Sequence, residues 1–207
     1  MTSTSLRITG GEAGLRALVS RAAGMDATAM ARLRQVDAQH VDVFVTTPFD
    51  VVVTRRIAGE VSRDGAAVPA ASLRDVQAGT NDLGPAQDAA WPGALPPADG
   101  FELVDNLPVT VVRELSDAGQ SLARQFSGPA GPPKSLLNQT VVQVEGNGHT
   151  VELPMRMIFA CTSLGLIPGF SAPMDIPRHL RVAALGRWIR LDAPFGTVYH
   201  STRLSLF

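Results

Sequence analysis

A pattern of apolar residues around a Pro-Phe pair occurs twice in this chain. The first copy, residues 43–53, is Val-Phe-Val-Thr-Thr-Pro-Phe-Asp-Val-Val-Val, and the second copy, residues 189–199, is Ile-Arg-Leu-Asp-Ala-Pro-Phe-Gly-Thr-Val-Tyr. β-Branched and aromatic residues, which favour strands, flank the pair in both copies. Proline fixes the φ angle that the first corner of a turn requires. Each copy therefore predicts a strand, a turn and a second strand.

The residues two positions after each proline, Asp50 and Gly196, predict the type of turn. A hairpin with a three-residue loop places a residue of left-handed backbone at this position and forms a bulge there. Glycine adopts that conformation freely, and aspartate is among the few other residues that tolerate it. We therefore expect a positive φ at both residues.

A strand and a helix precede the first hairpin. We expect the strand at Leu6–Thr9 and the helix at Glu12–Gly24. Apolar residues recur along this helix at the spacing of a single face. They are Leu15, Leu18, Val19 and Ala22.

The same order of elements precedes the second hairpin. We expect a strand at Thr150–Leu153 and a buried helix at Met155–Leu166. Pro154 suits the first helical position, and Gly165 suits the end. The sequence thus predicts an α+β fold of two related β-α-β-β units with antiparallel hairpins. Internal duplication would explain the repeat, and so would chance recurrence of common elements.

A long acidic segment rich in proline and glycine, Ala58–Asp105, joins the two units. It holds eight acidic residues and only two arginines from Glu60 onward. Such composition is typical of a linker or a long surface loop. We therefore expect an N-terminal unit at 1–57, the connecting segment at 58–105 and a C-terminal unit at 106–207. Trp91, within the segment, either packs back on its domain or acts as a docking anchor.

The C-terminal unit is predicted to carry an additional helix and strand. The helix runs from an N-cap at Asn106 to Phe126, and a hairpin follows around Gly146-Asn-Gly148. The apolar stripe of this helix comprises Val111, Val112, Leu115, Ala118, Leu122 and Phe126. The last hairpin spans roughly Arg181–Leu206.

Composition excludes several classes of protein. Of 207 residues, 45% are hydrophobic and 18% are charged, so the chain can bury a core. The net charge of −1 gives no global attraction to nucleic acid or to a membrane. We find no signal peptide and no apolar run long enough to span a membrane, and Cys161 is the only cysteine. These features predict a cytoplasmic protein.

The sequence predicts no catalytic constellation, metal site or cofactor. Cys161 with His149 or His200, oriented by Asp192, is the one nucleophilic set that can be assembled. Because Cys161 lies among apolar residues of a predicted helix, we expect a buried and inert thiol. The four histidines lack the spacing of metal ligands.

A surplus of arginine near the C-terminus defines the candidate binding surface. From Val151 onward there are six arginines and three acidic residues. Aromatic rings beside guanidinium groups can bind phosphate, carboxylate or nucleic acid. The candidate residues are Trp188, Arg190, Tyr199, His200, Arg178 and Arg181. The alternative is a solvated arginine face with Trp188 packed against the fold.

The chain resembles an uncharacterised family of two-part proteins from high-GC Gram-positive bacteria. The resemblance depends on the motifs Leu153-Pro-Met-Arg, Trp188-Ile-Arg-Leu with Pro194-Phe-Gly, and Trp91-Pro-Gly-Ala-Leu-Pro-Pro. It implies a bacterial cytoplasmic setting and no known activity.

The function that these observations favour is non-catalytic binding of another protein, or of a second copy of the chain. Nucleic-acid binding through the C-terminal hairpin is one alternative. A small hydrolase that uses Cys161 is another.

Overall fold

The computed structural model describes residues 3–126 and 132–202 and divides the chain into two compact units. The first unit comprises Met1–Pro48 and Val52–Ala98, and the second comprises Phe49–Val51 and Asp99–Phe207. Both units mix helices with antiparallel strands, as the sequence predicts.

The first unit is an antiparallel sheet with one long helix. The elements are β1 (Ser3–Gly10), α1 (Glu12–Met25), β2 (Met30–Gln35), β3 (His40–Thr46), β4 (Val52–Val61), β5 (Ala67–Pro69) and β6 (Gly79–Pro85). The strands are paired in the order β5-β2-β3-β4-β1-β6. A short 3-10 helix at Ala70–Leu73 lies between β5 and β6, and another at Asp88–Ala90 follows β6.

The second unit contains a four-stranded antiparallel sheet and a separate hairpin. The elements are β7 (Glu102–Pro108), α2 (Val109–Phe126), α3 (Lys134–Asn138), β8 (Thr140–Gly146), β9 (His149–Pro154), α4 (Met155–Ser163), β10 (His179–Leu185), β11 (Trp188–Ala193) and β12 (Gly196–Ser201). The sheet has the order β7-β10-β11-β12, and β8 pairs with β9.

Both predicted helices that precede the Pro-Phe hairpins are present. The buried face of α1 includes the predicted stripe, namely Leu15, Leu18, Val19 and Ala22. Helix α4 is buried over most of its length and ends at a Schellman motif. In this motif Leu166 N–H donates to the Cys161 carbonyl, and Gly165, at a φ of 67°, donates to Thr162.

The two Pro-Phe hairpins form, but neither has the predicted three-residue loop. Thr46 pairs with Val52 around a five-residue loop, and Ala193 pairs with Gly196 around a two-residue loop. Asp50 has the predicted left-handed conformation, with a φ of 54°. Gly196 has a φ of 158°, which is close to extended backbone, because its pairing with Ala193 places it within β12.

Each predicted β-α-β-β unit contains one more strand than expected. The orders are β1-α1-β2-β3-β4 and β9-α4-β10-β11-β12. Strand β2 was missed because its sequence, Met-Ala-Arg-Leu-Arg-Gln, is poor in β-branched residues.

The segment Ala58–Asp105, expected to be a linker or a surface loop, contributes residues to four strands. It contains the end of β4, all of β5 and β6, and the start of β7. Its glycine content suggested a loop, but Gly65, Gly79 and Gly84 adopt positive φ at turns and strand ends between ordered strands. Trp91 is only 6% exposed, so its ring is not presented to solvent as a docking anchor.

Helix α2 begins later than predicted and buries a different stripe. Asn106 lies within β7, paired with Arg181, and does not cap the helix. Most of the buried face consists of small residues. A Cβ atom at Gly119 would overlap Met155 and lie very close to Phe159, so α2 packs closely against α4 at this position. The buried positions of α2 are Val109, Val112, Ser116, Gly119 and Ala123. Leu122 of the predicted stripe is 40% exposed, and the side chain of Phe126 lies outside the described residues.

Candidate functional site

A polar cleft of about 480 Å³ lies within the second unit. Strand β9 borders it on one side, and the turn between β10 and β11 borders it with the end of β12 on the other. We call it the hairpin cleft. Its lining includes His149, Thr150, Glu152, Arg187, Trp188 and His200, with Asn138 and Thr140 at one end.

The β9 wall depends on the tight turn of the β8–β9 hairpin. Asn147 and Gly148 have φ values of 49° and 78°, as the two-residue turn predicted from Asn-Gly requires. The Asn147 side chain donates to the Leu103 carbonyl at 2.7 Å, and His149 Nε2 lies 2.8 Å from a carboxylate oxygen of Glu102. These contacts fix the tip of the hairpin to β7.

The opposite wall is formed by the turn at Gly186 and the start of β11. Gly186 has a φ of 53°, which closes the β10–β11 hairpin. The Arg187 guanidinium lies 6.0 Å from the centre of the Trp188 ring, and the Arg187 carbonyl accepts from Thr202 N–H at 3.0 Å. Trp188 and Arg187 are thereby presented together along one side of the cleft.

His200 lies at the inner end of the cleft and is neutral at physiological pH. Burial, and to a smaller extent the nearby Arg156 guanidinium, lower the pKa of its imidazole to about 4. The Asp50 carboxylate and a hydrogen bond with the Asp50 backbone act in the opposite direction. The ring therefore serves as an uncharged part of the lining.

Arg156 is a buried cation that positions residues beside the cleft. It lies in the first turn of α4 and is 6% exposed. Its guanidinium donates to the Phe49 carbonyl at 2.8 Å, to Asp50 Oδ2 at 3.3 Å and to Asn138 Oδ1. Because Asn138 lines the cleft, this network connects α4 to the cleft.

The structure separates the predicted binding residues into two groups. Trp188 and His200 both line the hairpin cleft. This grouping does not follow the faces of the β11–β12 ladder, since Trp188, Arg190 and Tyr199 share one face and His200 lies on the other.

Most of the remaining predicted residues make contacts within the unit. Arg190 lies 4.7 Å from the centre of the Phe101 ring and 3.1 Å from Asp192, and Tyr199 meets the same ring at 5.8 Å. Arg178 donates to two carbonyls of the loop before β10. Arg181 is exposed on β10, away from the cleft lining.

Sequence analysis missed the partners that complete the cleft. Arg187, Glu152 and Asn138 were not among the candidates, although the Asn-Gly turn pointed to the β8–β9 hairpin. The missing information was the position of that hairpin beside the β10–β11 turn, which depends on long-range packing.

Cys161 lies apart from this chemistry. It is fully buried in α4, and burial raises the pKa of its thiol to about 12. A thiolate nucleophile is therefore absent near neutral pH. Among residues 3–126 and 132–202, no cluster of histidine, cysteine and carboxylate side chains is arranged to hold a metal ion. Within the same ranges, no helix is long and apolar enough to cross a membrane.

Residues 96–205, more than half of the chain, match the domain of unknown function DUF8185. The chain belongs to this family. Residues 1–93 match a second domain of unknown function, DUF8010. These matches agree with the two-part organisation that the resemblance implied, whereas the bacterial source stays a prediction. No curated protein matches the chain.

The fold is similar to that of bacterial DNA polymerase sliding clamps. A clamp from Pseudomonas aeruginosa is 13% identical with a TM-score of 0.56, and the alignment covers 98% of this chain and 65% of the clamp. A Caulobacter crescentus beta sliding clamp is 10% identical with a TM-score of 0.55, covering 100% and 66%. A putative DNA polymerase III beta subunit from Eubacterium rectale is 11% identical with a TM-score of 0.55, and the alignment covers 100% of this chain and 66% of that subunit.

This chain therefore spans slightly less than two thirds of the length of the clamps that it resembles. At this level of identity, the likeness establishes the fold alone.

Proposed function

We propose that this protein is a non-catalytic binding protein or scaffold, and that the hairpin cleft is its contact surface for a protein partner. The observation that carries the proposal is the lining of the cleft. Trp188 and Arg187 lie side by side, and tryptophan and arginine are enriched among residues that dominate binding energy at protein interfaces. The cleft combines them with hydroxyl and carboxylate groups.

The chemistry of the second unit supports binding over catalysis. Its thiol is buried and protonated. The pKa of the His200 imidazole is about 4, far below the value near 7 that suits a general base at neutral pH. The alternative of a cysteine hydrolase therefore lacks an accessible nucleophile.

The likeness to sliding clamps gives independent support. One such clamp is described with polyethylene glycol bound to a putative beta-motif tethering region, and another is described as bound to griselimycin. Because this fold carries binding regions in those proteins, it is compatible with a binding region in this chain. A bacterial cytoplasmic setting belongs to the same proposal.

Affinity capture followed by measurement with the purified partner tests this function. We expect Trp188→Ala and Arg187→Ala each to lower the affinity for the partner by about tenfold or more. Truncating a central aromatic or arginine anchor typically costs at least about 2 kcal/mol of binding free energy. Arg181→Ala, exposed on β10 outside the cleft, is the matched control. Equal affinities in all three variants would overturn the cleft as the contact surface.

Nucleic-acid binding by the C-terminal hairpin is the weaker candidate. Arg190 and Arg178 are engaged by Asp192 and by loop carbonyls, respectively, which leaves fewer cations for phosphate. Binding of this kind would fall steeply as salt rises. We expect no gel shift of duplex or single-stranded DNA or RNA at low salt.

We also propose that the repeated order of strand, helix and three strands arose by duplication. The shared order and the two Pro-Phe hairpins support it. The pairing differs between the copies, because β1 pairs with β4 whereas β9 pairs with β8. Sequences of family members that are more alike in their two halves would support common descent.

A further inference from the structure

We propose that the hairpin cleft accepts an extended polypeptide segment, which adds to the free edge of β9 as a third strand of the β8–β9 sheet. This inference rests on the proposed function and specifies its partner. The partner would present a linear segment with a free backbone, not a folded surface.

Strand β9 has an unused edge. Within the described ranges it pairs only with β8. No backbone group of residues 149–153 makes a backbone hydrogen bond outside that ladder in the described part of the chain. A row of unpaired N–H and C=O groups is a template for another strand.

The register of the hairpin identifies the groups that point outward. Gly146 and His149 close a two-residue turn, and the closing pair of such a turn exchanges both of its hydrogen bonds. Bonded and non-bonded pairs alternate along the ladder, so Val151 also bonds to β8. The N–H and C=O groups of Thr150 and Glu152 therefore point away from β8.

These outward groups belong to residues that line the hairpin cleft. Thr150 and Glu152 are both exposed, and both contribute to the lining. Neighbouring strands lie about 4.8 Å apart, so an added strand would occupy the cleft beside β9. Only an extended chain offers alternating donors and acceptors at the matching spacing, which is why we commit to a peptide as the occupant.

The opposite wall would supply selectivity. Side chains of an extended segment alternate between two faces, and one set can meet Trp188 and Arg187 while the backbone bonds to β9. Affinity would then come from main-chain hydrogen bonds and from the anchors together.

The test uses a displayed library of random linear peptides selected against the full chain. Selected peptides are measured by fluorescence anisotropy with three variants. Glu152→Pro removes an outward N–H and obstructs the edge, yet it leaves the ladder bonds intact. Glu152→Ala removes the side chain alone. Gln143→Pro, at the residue paired with Glu152, obstructs the outer edge of β8 as the matched control.

Strand addition predicts a loss of affinity of about tenfold or more with Glu152→Pro, and little change with the other two variants. Circular dichroism and thermal unfolding verify that each variant is folded. As a second measurement that needs no variant, N-methylation along a bound peptide should abolish binding at alternate residues only.

The two proposals fail in different ways. Peptides that bind Glu152→Pro as well as wild type but lose affinity for Trp188→Ala would overturn strand addition and leave the cleft as a binding surface. Selection that yields no peptide would also overturn strand addition, whereas the scaffold function is tested separately with a folded partner. Uniform tolerance of N-methylation would contradict the backbone pairing.

Discussion

Gly146 lies where the tip of the β8–β9 hairpin approaches β7. A Cβ atom at this position would lie 2.1 Å from the Val104 carbonyl oxygen, a backbone atom that cannot move without shifting its strand. We expect Gly146→Ala to lower the free energy of unfolding by about 2 kcal/mol or more, as other overpacking changes do. Urea unfolding measures the change.

Gly24→Ala is the matched control for that substitution. No atom lies within 4 Å of a Cβ built at Gly24, which is in helix α1. Alanine should leave stability unchanged or raise it by up to about 1 kcal/mol. If both variants behaved alike, the close approach of the hairpin to β7 would be wrong.

Arg156 should matter for stability far more than a surface arginine. Arg156→Met leaves the Phe49 carbonyl and the Asn138 side chain without their donor, and we expect a loss of about 2–4 kcal/mol. Arg7→Met removes an ion pair with Glu60 whose side chains are both more than half exposed, and should cost less than about 1 kcal/mol. Equal losses, measured by urea unfolding, would contradict the buried network.

His200 predicts a pH dependence of stability. The pKa of its imidazole is about 4 in the folded protein, below the value of about 6.5 expected for the unfolded chain. Between these values the unfolded state binds more protons, so the stabilisation is complete above about pH 6.5 and is lost as pH falls toward 4.

The measurement is the free energy of unfolding of wild type and His200→Gln across this range. The variant should show a shallower decrease, because the titrating group is gone. His179→Gln, at an exposed position of β10, should retain the wild-type slope. The same slope in all three proteins would contradict the buried neutral ring.

At the scale of single residues, the sequence predicted unusual backbone conformations more successfully than it predicted side-chain contacts. Asp50, Asn147 and Gly165 have the positive φ values or cap geometry that turn chemistry predicts. The contacts of Arg156 with Phe49 and of His200 with Asp50 were not predictable, because each joins residues more than 100 positions apart in sequence.

Helix α2 shows how an element can be predicted correctly and still be oriented wrongly. The pattern of large apolar residues placed Leu122 in the core, whereas Val112 is fully buried and Leu122 is 40% exposed. Close packing of Gly119 against Met155 and Phe159 rotates the small residues inward. Hydrophobic periodicity cannot distinguish a face of small residues from a polar face.

A pair of substitutions tests this orientation. Val112→Ala should cost about 1–3 kcal/mol because it leaves a cavity, whereas Leu122→Ser should change the free energy of unfolding by less than about 0.5 kcal/mol. Thermal and urea unfolding provide the values. A larger loss from Leu122→Ser than from Val112→Ala would restore the predicted stripe.

Strands were predicted best where local chemistry was strong. The Pro-Phe hairpins and the Asn-Gly hairpin carry turn residues and β-branched neighbours. Strand β6, Gly-Thr-Asn-Asp-Leu-Gly-Pro, has only one β-branched residue and consists mostly of residues that favour turns, so it exists because β1 pairs with it. Tertiary pairing therefore determined the structure of the segment that composition assigned to a linker.

On the scale of the whole molecule, the sequence predicted a mixture of helices and antiparallel strands in two parts, but not the resemblance to sliding clamps. At 10–14% identity no motif is shared strongly enough to signal that fold, and only the arrangement of strands and helices does so. The hairpin cleft was equally hidden, since its lining comes from four separate stretches of the second unit.

Hydrogen–deuterium exchange with a bound peptide or partner tests binding in the hairpin cleft. We expect slower exchange of the outward amides of Thr150 and Glu152, with protection around Arg187 and Trp188. Amides of helix α1 in the first unit should be unchanged. Protection confined to other surfaces, with residues 149–154 exchanging as fast as in the free protein, would contradict binding in the hairpin cleft.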